Sequence, residues 1–225
     1  RESLGSSSYH SLQMTGNRRM TSGLLVQATY TRSKLLEKLR YIDTSDPGPS
    51  KMIGEFDNPH RITLAAIYEL PFGKGRRFAV TAPVLAQLAG GWQAGITYIF
   101  QSGNAVWLPA ALATGISPSK GGRDIEIWFN RDAMKVLPAF TARTIPFMWN
   151  GLRQDAQNNW DASVIKNTAV YRERVKLQFR AEFLNAFNHV WFSSPDVNPA
   201  SGSYGRVLGQ SNSPRNIQLA MKVFF

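Results

Sequence analysis

Apolar and polar residues alternate over seven segments of this 225-residue chain, and a period of two is the mark of a β-strand that turns one greasy face to its surroundings. From Leu24 to Lys34, the residues Leu24, Val26, Ala28 and Tyr30 alternate with Gln27, Thr29 and Thr31. From Arg61 onward Ile62, Leu64, Ala66, Tyr68 and Leu70 alternate with Arg61, Thr63 and Glu69. The same pattern recurs from Trp92 (Trp92, Ala94, Ile96, Tyr98, Phe100) and from Val175 (Val175, Leu177, Phe179, Ala181, Phe183). It ends the chain with Ile217, Leu219, Met221, Val223 and Phe225 on one side and Gln218, Ala220 and Lys222 on the other. Two weaker segments, Tyr9 to Arg19 and Trp160 to Asn167, complete the set, so the chain reads as all-β.

The next question is what covers the greasy faces. At 43% hydrophobic, 12% aromatic and 18% charged residues, the composition excludes an unfolded chain. The longest uninterrupted apolar run, Leu64 to Tyr68, is far short of the roughly 20 residues a membrane helix needs. With no cysteine there is no disulfide framework and no thiolate metal site. Residue 1 is Arg and no leader pattern follows, which is expected of a processed chain or of one that begins inside a longer protein.

The connections are grossly unequal. Short ones fall at Met20 to Gly23 and Ala169 to Arg174, and a tight turn, Pro71-Phe72-Gly73-Lys74-Gly75-Arg76-Arg77, opens a somewhat longer link to Trp92. Long ones run from Leu35 to His60, from Ser102 to Asn159 and from Asn188 to Pro214. A soluble seven-strand sandwich also alternates, but it spaces its turns evenly. Long loops at one end and turns at the other are the habit of an outer-membrane barrel. Trp92 and Phe100 are about 26 Å apart along an extended strand at ~3.3 Å per residue, roughly 20 Å along the membrane normal after a tilt of about 40°. Tyr68, Phe72 and Phe225 are expected at the short-turn rim, and Tyr30, Trp160 and Phe187 at the long-loop rim, as two aromatic girdles. The expected fold is an antiparallel transmembrane β-barrel, here an incomplete segment of about seven strands with long extracellular loops.

Particular segments carry a resemblance. They are Tyr9-His10-Ser11-Leu12-Gln13, Ala28-Thr29-Tyr30-Thr31-Arg32-Ser33-Lys34, Asp57-Asn58-Pro59-His60-Arg61, the stretch from Tyr68 to Arg76, Gly90-Gly91-Trp92-Gln93, Phe100-Gln101-Ser102-Gly103 and Phe129-Asn130. The stretch from Leu177 to His189, then Asn212-Ser213-Pro214-Arg215 and the terminal Phe225, continue the series. In this order the chain resembles the carboxyl-terminal part of an outer-membrane TonB-dependent receptor, of the Oar-like type that bears a carboxypeptidase-regulatory-like domain and is common in acidobacteria. It departs from that pattern at Arg32, where the family usually has an aromatic, and over Leu35 to Ile42, which is more apolar than the expected polar loop. The resemblance implies a barrel of about 22 strands with a plug inside, driven by a TonB complex, of which residues 1–225 are the last part. It also implies outer-membrane lipid, the barrel-assembly machinery, the protein's own plug and an unknown solute as partners.

The terminal strand, Ile217, Leu219, Met221, Val223 and Phe225, resembles the signal by which the assembly machinery receives a client, since an exposed amphipathic strand adds readily to a sheet edge. The net charge of +11 invites a polyanion-binding reading, a soluble basic β-sandwich module. The distribution points elsewhere. Arg18, Arg19, Lys74, Arg76, Arg77, Arg172 and Arg174 gather at strand ends and turns, while Arg61, Lys176, Arg180 and Lys222 fall on polar strand faces, where they become lumen cations. No nucleic acid partner is expected.

Nor is a catalytic, cofactor or metal site. His10, His60 and His189 are far apart in sequence and no nucleophile elbow is present, so a loop hydrolase finds no support. Gly73 and Gly75 suit a hairpin better than a dinucleotide turn. Asp43, Asp46, Glu55 and Asp57, or Asp124 and Glu126, read as solvated loop charges rather than cation ligands. Leu35, Leu39 and Ile42 share one face of a helix and predict a short rim helix. Trp107, Trp128, Phe140, Phe147 and Trp149 are expected to pack within the second long loop.

Overall fold

The computed structural model describes residues 4–43, 45–73, 76–119, 124–171 and 175–225. Along the chain run β1 (Ser6–Thr21), β2 (Leu24–Arg40), β3 (Ser50–Ile53), β4 (His60–Glu69), α1 (Pro83–Ala89) and β5 (Trp92–Gln101). Then come β6 (Ala105–Trp107), β7 (Ala111–Ala113), β8 (Met134–Val136), β9 (Met148–Arg153), β10 (Gln157–Tyr171), β11 (Val175–Leu184) and β12 (Asn216–Phe224). The long strands form one sheet in the order β1-β2-β4-β5-β10-β11-β12, with β3 added beside β2. Every pairing in it is antiparallel, and each long strand lies beside the next long strand in the chain. The seven strands read from alternation are therefore the seven long strands of this eight-stranded sheet.

The register shows why the alternation matters. Val26, Ala66, Ile96, Ala162, Phe183 and Ile217 stand opposite one another from β2 to β12, and so do Leu24, Tyr68, Ala94, Val164, Ala181 and Leu219. Because side chains alternate sides along a strand, these rows make one continuous apolar face. On the other face Glu69, Gln93, Ile165, Arg180 and Ala220 make a row, and Gln27, Ala65, Thr97 and Asp161 another. That face is polar and charged, interrupted by Ile67, Ile99 and Ile165.

Among the described residues no second sheet covers the apolar face. Among the described residues the two further sheets are small pairs, β6 with β9 and β7 with β8, both within the connection from β5 to β10. Among the described residues Ala181 is the single buried apolar residue on the seven long strands, while Ile217, Leu219 and Met221 are more than half exposed. The soluble sandwich is thereby overturned: a sandwich buries its inner faces against each other, and among the described residues no other sheet packs on these side chains.

The buried residues lie at one end of the sheet. Val106, Leu108, Ala111, Phe129, Ala133, Met134, Ile145 and Leu152 form a cluster inside the connection from β5 to β10, with Trp128, Trp149, Val197 and Tyr204 packed against it. Val197 and Tyr204 come from the connection between β11 and β12, so the two longest loops fold as one body. Ile53, Ala105 and Met148 form a second cluster with Leu36, which joins the first loop to the same body. The outer connections make a packed cap.

Two expectations change here. Leu35, Leu39 and Ile42 are not helical: β2 continues to Arg40 and Ile42 lies in a bend beyond it, because Ser6 to Tyr9 pair with Lys38 to Leu35 and that ladder outcompetes a local turn. The first loop is correspondingly shorter. Lys74, Gly75, Arg172 and Arg174 lie outside the described residues. The strand lengths fit a bilayer: β4, β5 and β11 have ten residues each and β12 nine, close to the roughly 9–11 a tilted membrane strand needs. At sixteen and seventeen residues, β1 and β2 stand beyond the rim.

Candidate functional site

Aromatic side chains mark both rims of the apolar face. At the cap end Tyr98 stacks on Trp160 with centroids 4.1 Å apart, and Phe187 meets Trp160 edge-on at 5.9 Å. Tyr30 stacks beside His60, and a 2.9 Å hydrogen bond joins its hydroxyl to His60 Nδ1. At the short-turn end Phe72 stacks on Phe78 at 5.5 Å, and Trp92 Nε1 donates to Leu88 O at 2.9 Å. Tyr68 is exposed at this rim and Phe225, following β12, is fully exposed. Indole and phenol rings with an apolar body and a polar tip suit the boundary between lipid and water.

The polar face carries the four sequence-identified cations, in two places. Lys176 and Arg180 lie on β11 and Lys222 on β12 opposite Gln178, so these three share one patch. Arg61 lies at the cap end of β4, with β5 and β10 between it and β11. Within the patch Arg180 Nη1 pairs with Glu182 Oε1 at 3.2 Å, and Arg180 Nε is buried with no hydrogen-bond partner. On the apolar side of the same sheet edge stand Ile217, Leu219, Met221 and Val223, opposite Phe183, Ala181, Phe179 and Leu177. The terminal strand thus presents its apolar residues on one face with its outer edge unpaired among the described residues.

Above the polar face lies a cavity of about 380 Å³, where β10 rises past the end of β11. Asn159, Asp161, Asn185, Trp191, Asn212 and Asn216 line it. Asn185, in the left-handed region at φ 51°, closes β11: its Nδ2 donates to His189 O and Ser213 O, its Oδ1 accepts from His189 N–H, and its own N–H donates to Asp161. Asn188, at φ 52°, accepts from Arg215 N–H. Asparagine tolerates this conformation better than most residues, which explains two asparagines three apart. The polar groups of the wall are largely engaged with one another and with the backbone: Asn159 Nδ2 donates to Asp161, Asn212 Nδ2 to His189 O and Trp191 Nε1 to Asp155 O.

Charges tie the cap together. Asp57 is buried; its carboxylate accepts from Leu35 N–H at 2.6 Å, from Arg153 at 2.6 Å and from Lys34 at 3.1 Å. Burial by itself pushes this carboxyl up, but the Leu35, Arg153 and Lys34 donors outweigh it and hold it below the usual carboxylate range. Arg143 donates to the carbonyls of Leu108, Pro109, Ile145 and Pro146 and lies over the Phe147 ring at 3.9 Å. Arg40, at the end of β2, stacks over Trp107 at 4.6 Å. Trp128 and Trp149 pack on the cap core, as expected, whereas Phe140 does not and is fully exposed.

Of the acidic residues expected to be solvated loop charges, Asp57 is instead buried and tied to another loop, and others are engaged within or between loops. Asp46 accepts from the N–H groups of Ile42 and Asp43, Asp124 from those of Glu126 and Ile127, and Glu126 pairs with Arg206 at 2.7 Å. Among the described residues no three of His, Asp and Glu come together as a metal site would require. The sequence pattern does not reveal the Asp57–Arg153 tie, because its partners are 96 residues apart. The helix α1 did leave a signal: Pro83 at its first turn and Gly90-Gly91 at its end.

A meandering antiparallel sheet with strands of membrane-spanning length, one unburied apolar face, aromatic rims and a packed loop cap at one end defines a transmembrane β-barrel wall. A family model described as an outer membrane beta barrel domain matches residues 1–218, and the chain belongs to that family. Its place is the cell outer membrane, with lipid against the apolar face. Comparison with curated proteins and with solved structures returned no match.

Proposed function

We propose that this chain is the carboxyl-terminal barrel segment of a TonB-dependent receptor, which binds a solute at the cell surface and admits it to the periplasm. The observation that carries this reading is the sheet's two unpaired outer edges, on β1 and β12, among the described residues. In lipid an unpaired edge is untenable, and seven strands are fewer than any bacterial barrel closes with, so further strands must join both edges. The ordered motifs from Tyr9-His10 to the terminal Phe225 support the receptor assignment. In this reading Lys176, Arg180 and Lys222 face a plug inside the lumen and meet its acidic groups, and the unpartnered Arg180 Nε supports such a contact. The terminal strand with Phe225 serves assembly. The segment performs no chemistry on the solute: it supplies wall, lumen lining and cap.

The test uses the protein in its own membrane. An antibody raised against the cap should detect, in outer-membrane fractions, a polypeptide well above 25.1 kDa that crosslinks to TonB. A band of 25.1 kDa that forms no TonB crosslink would overturn the receptor reading while leaving the barrel family intact.

A further inference from the structure

The connection from β4 to β5, at the short-turn end, contains α1. Its seven residues are uncharged. At about 100° per residue, Val84, Leu85 and Leu88 fall on one arc and Pro83, Ala86 and Gln87 on the other. Pro83, Ala86 and Gln87 face β10 across a cleft that Thr168 and Val170 also line. Val84, Leu85 and Leu88 point away and are 70%, 58% and 62% exposed. None of the helix is buried, so a soluble reading leaves its three large side chains without a purpose.

The side of the sheet on which α1 lies is set by its contacts. Lys166 stands opposite Trp92 and Phe179 on the apolar face. Its ammonium donates to Gln87 O and Gly90 O at the helix end and lies over the Trp92 ring at 5.1 Å. Gln87 Nε2 donates to Ala169 O at 2.8 Å. Gly91, at φ 74°, lets the chain turn from helix to strand so closely that a Cβ there would stand 2.1 Å from Asn167 O. The helix is therefore held on the apolar side, continuous with the surface that outer-membrane lipid covers. Lys166 is four residues from Ala162, the partner of mid-strand Ile96, which puts it about 10 Å from the membrane midplane at ~3.3 Å per residue and a tilt of about 40°. A cation at that depth is costly unless paired, and helix carbonyls are costly unless satisfied. Here each satisfies the other.

We propose that α1 is a membrane foot: Val84, Leu85 and Leu88 insert among the phospholipids of the periplasmic leaflet, with the Lys166 ammonium pinning the helix end to the wall. A plug inside the lumen cannot cover this helix, because it lies on the opposite side of the sheet. The inference rests on the outer-membrane location alone and holds whatever the solute.

Because the 225-residue sequence contains no cysteine, single cysteines can be placed and labelled with the environment-sensitive dye NBD. Leu88→Cys, Ile96→Cys on the apolar face and Phe140→Cys on the cap are compared in the outer-membrane protein reconstituted in phosphatidylethanolamine–phosphatidylglycerol vesicles. The label at position 88 should emit to the blue of that at 140, resist iodide, and lose emission to phospholipids carrying a nitroxide near the headgroup. The label at 96 should be quenched by nitroxides deep in the acyl chains. If 96 is quenched by lipid while 88 is quenched by iodide, the foot is wrong and the membrane wall stands. If 88 is shielded from both iodide and lipid nitroxides, a protein covers the helix and the proposal falls. If both 88 and 96 are open to iodide, the membrane wall falls with it.

Discussion

Placing a guanidinium at adjacent positions of β5 separates the two faces of the sheet directly. Ile96 stands between Ala66 and Ala162 on the apolar face, whereas Thr97 stands between Ala65 and Asp161 on the polar face. Ile96 is four residues from Trp92 and four from Phe100, or about 10 Å along the membrane normal from either at ~3.3 Å per residue and a tilt of about 40°. That is the middle of an apolar band ~25 Å tall, where an arginine facing lipid costs about 2–4 kcal/mol. Ile96→Arg is thus expected to lower the folding equilibrium by roughly a hundredfold, at a factor of ten per ~1.4 kcal/mol. Thr97→Arg puts the same charge across from Asp161, in water, and should stay within about 0.5 kcal/mol of the parent. Guanidinium titration of the protein folded into vesicles, read by tryptophan emission and by the mobility of unheated samples in gels, measures both. A cost for Thr97→Arg equal to or above that for Ile96→Arg would refute the assignment of lipid to the apolar face.

Removing the buried carboxylate with Asp57→Ala leaves Arg153 and Lys34 facing a buried hole. It should loosen the cap by about 3 kcal/mol, the low end for a broken buried pair because Lys34 is 39% exposed, seen as faster amide exchange at 148–153 with the wall unchanged. The same carboxyl sets a pH dependence: its folded value lies below the unfolded one of about 3.9, so its stabilisation is complete above that and is lost as the pH falls through the folded value. Cap amide exchange should therefore accelerate below about pH 4, and Asp57→Ala should remove that acceleration. Asn185→Ala should open the β11–β12 loop to protease more than Asn185→Gly, the difference being the roughly 1–2 kcal/mol cost of a left-handed non-glycine residue. Tyr204, pushed up to about 12 by burial and by the nearby Asp132 carboxylate, should give an ultraviolet absorbance step near that pH, and Tyr204→Phe should delete that step. Deleting Phe225 should lower the amount of protein in fractionated outer membranes, and unchanged amounts would remove its assembly role.

The seven long strands were legible because β-geometry itself has a period of two: Trp92 to Phe100 and Val175 to Phe183 alternate whether or not anything is known of their neighbours. The rim helix over Leu35 to Ile42 misled for the complementary reason. Its spacing is a local cue, and the partner that overrules it, Ser6 to Tyr9, is about thirty residues away. Most of the cap was illegible on the same ground. Val106, Phe129 and Leu152 meet in one core without any periodic pattern, and Asp57 finds Arg153 only once both loops have folded. The polar-face cations could be read as a set by face, but the separation of Arg61 from Lys176, Arg180 and Lys222 follows from strand order, which no single strand contains. The foot helix was within reach through its proline and its paired glycines, although its side of the wall is revealed only by Lys166.

The fused cap has a mechanical consequence. Three connections that share cores and a buried carboxylate cannot flap one by one. The mouth at this end behaves as a stiff collar, whose aperture is decided when the protein is built. Any change of shape at this end then has to carry the three connections together as one body, hinged where they leave the strands.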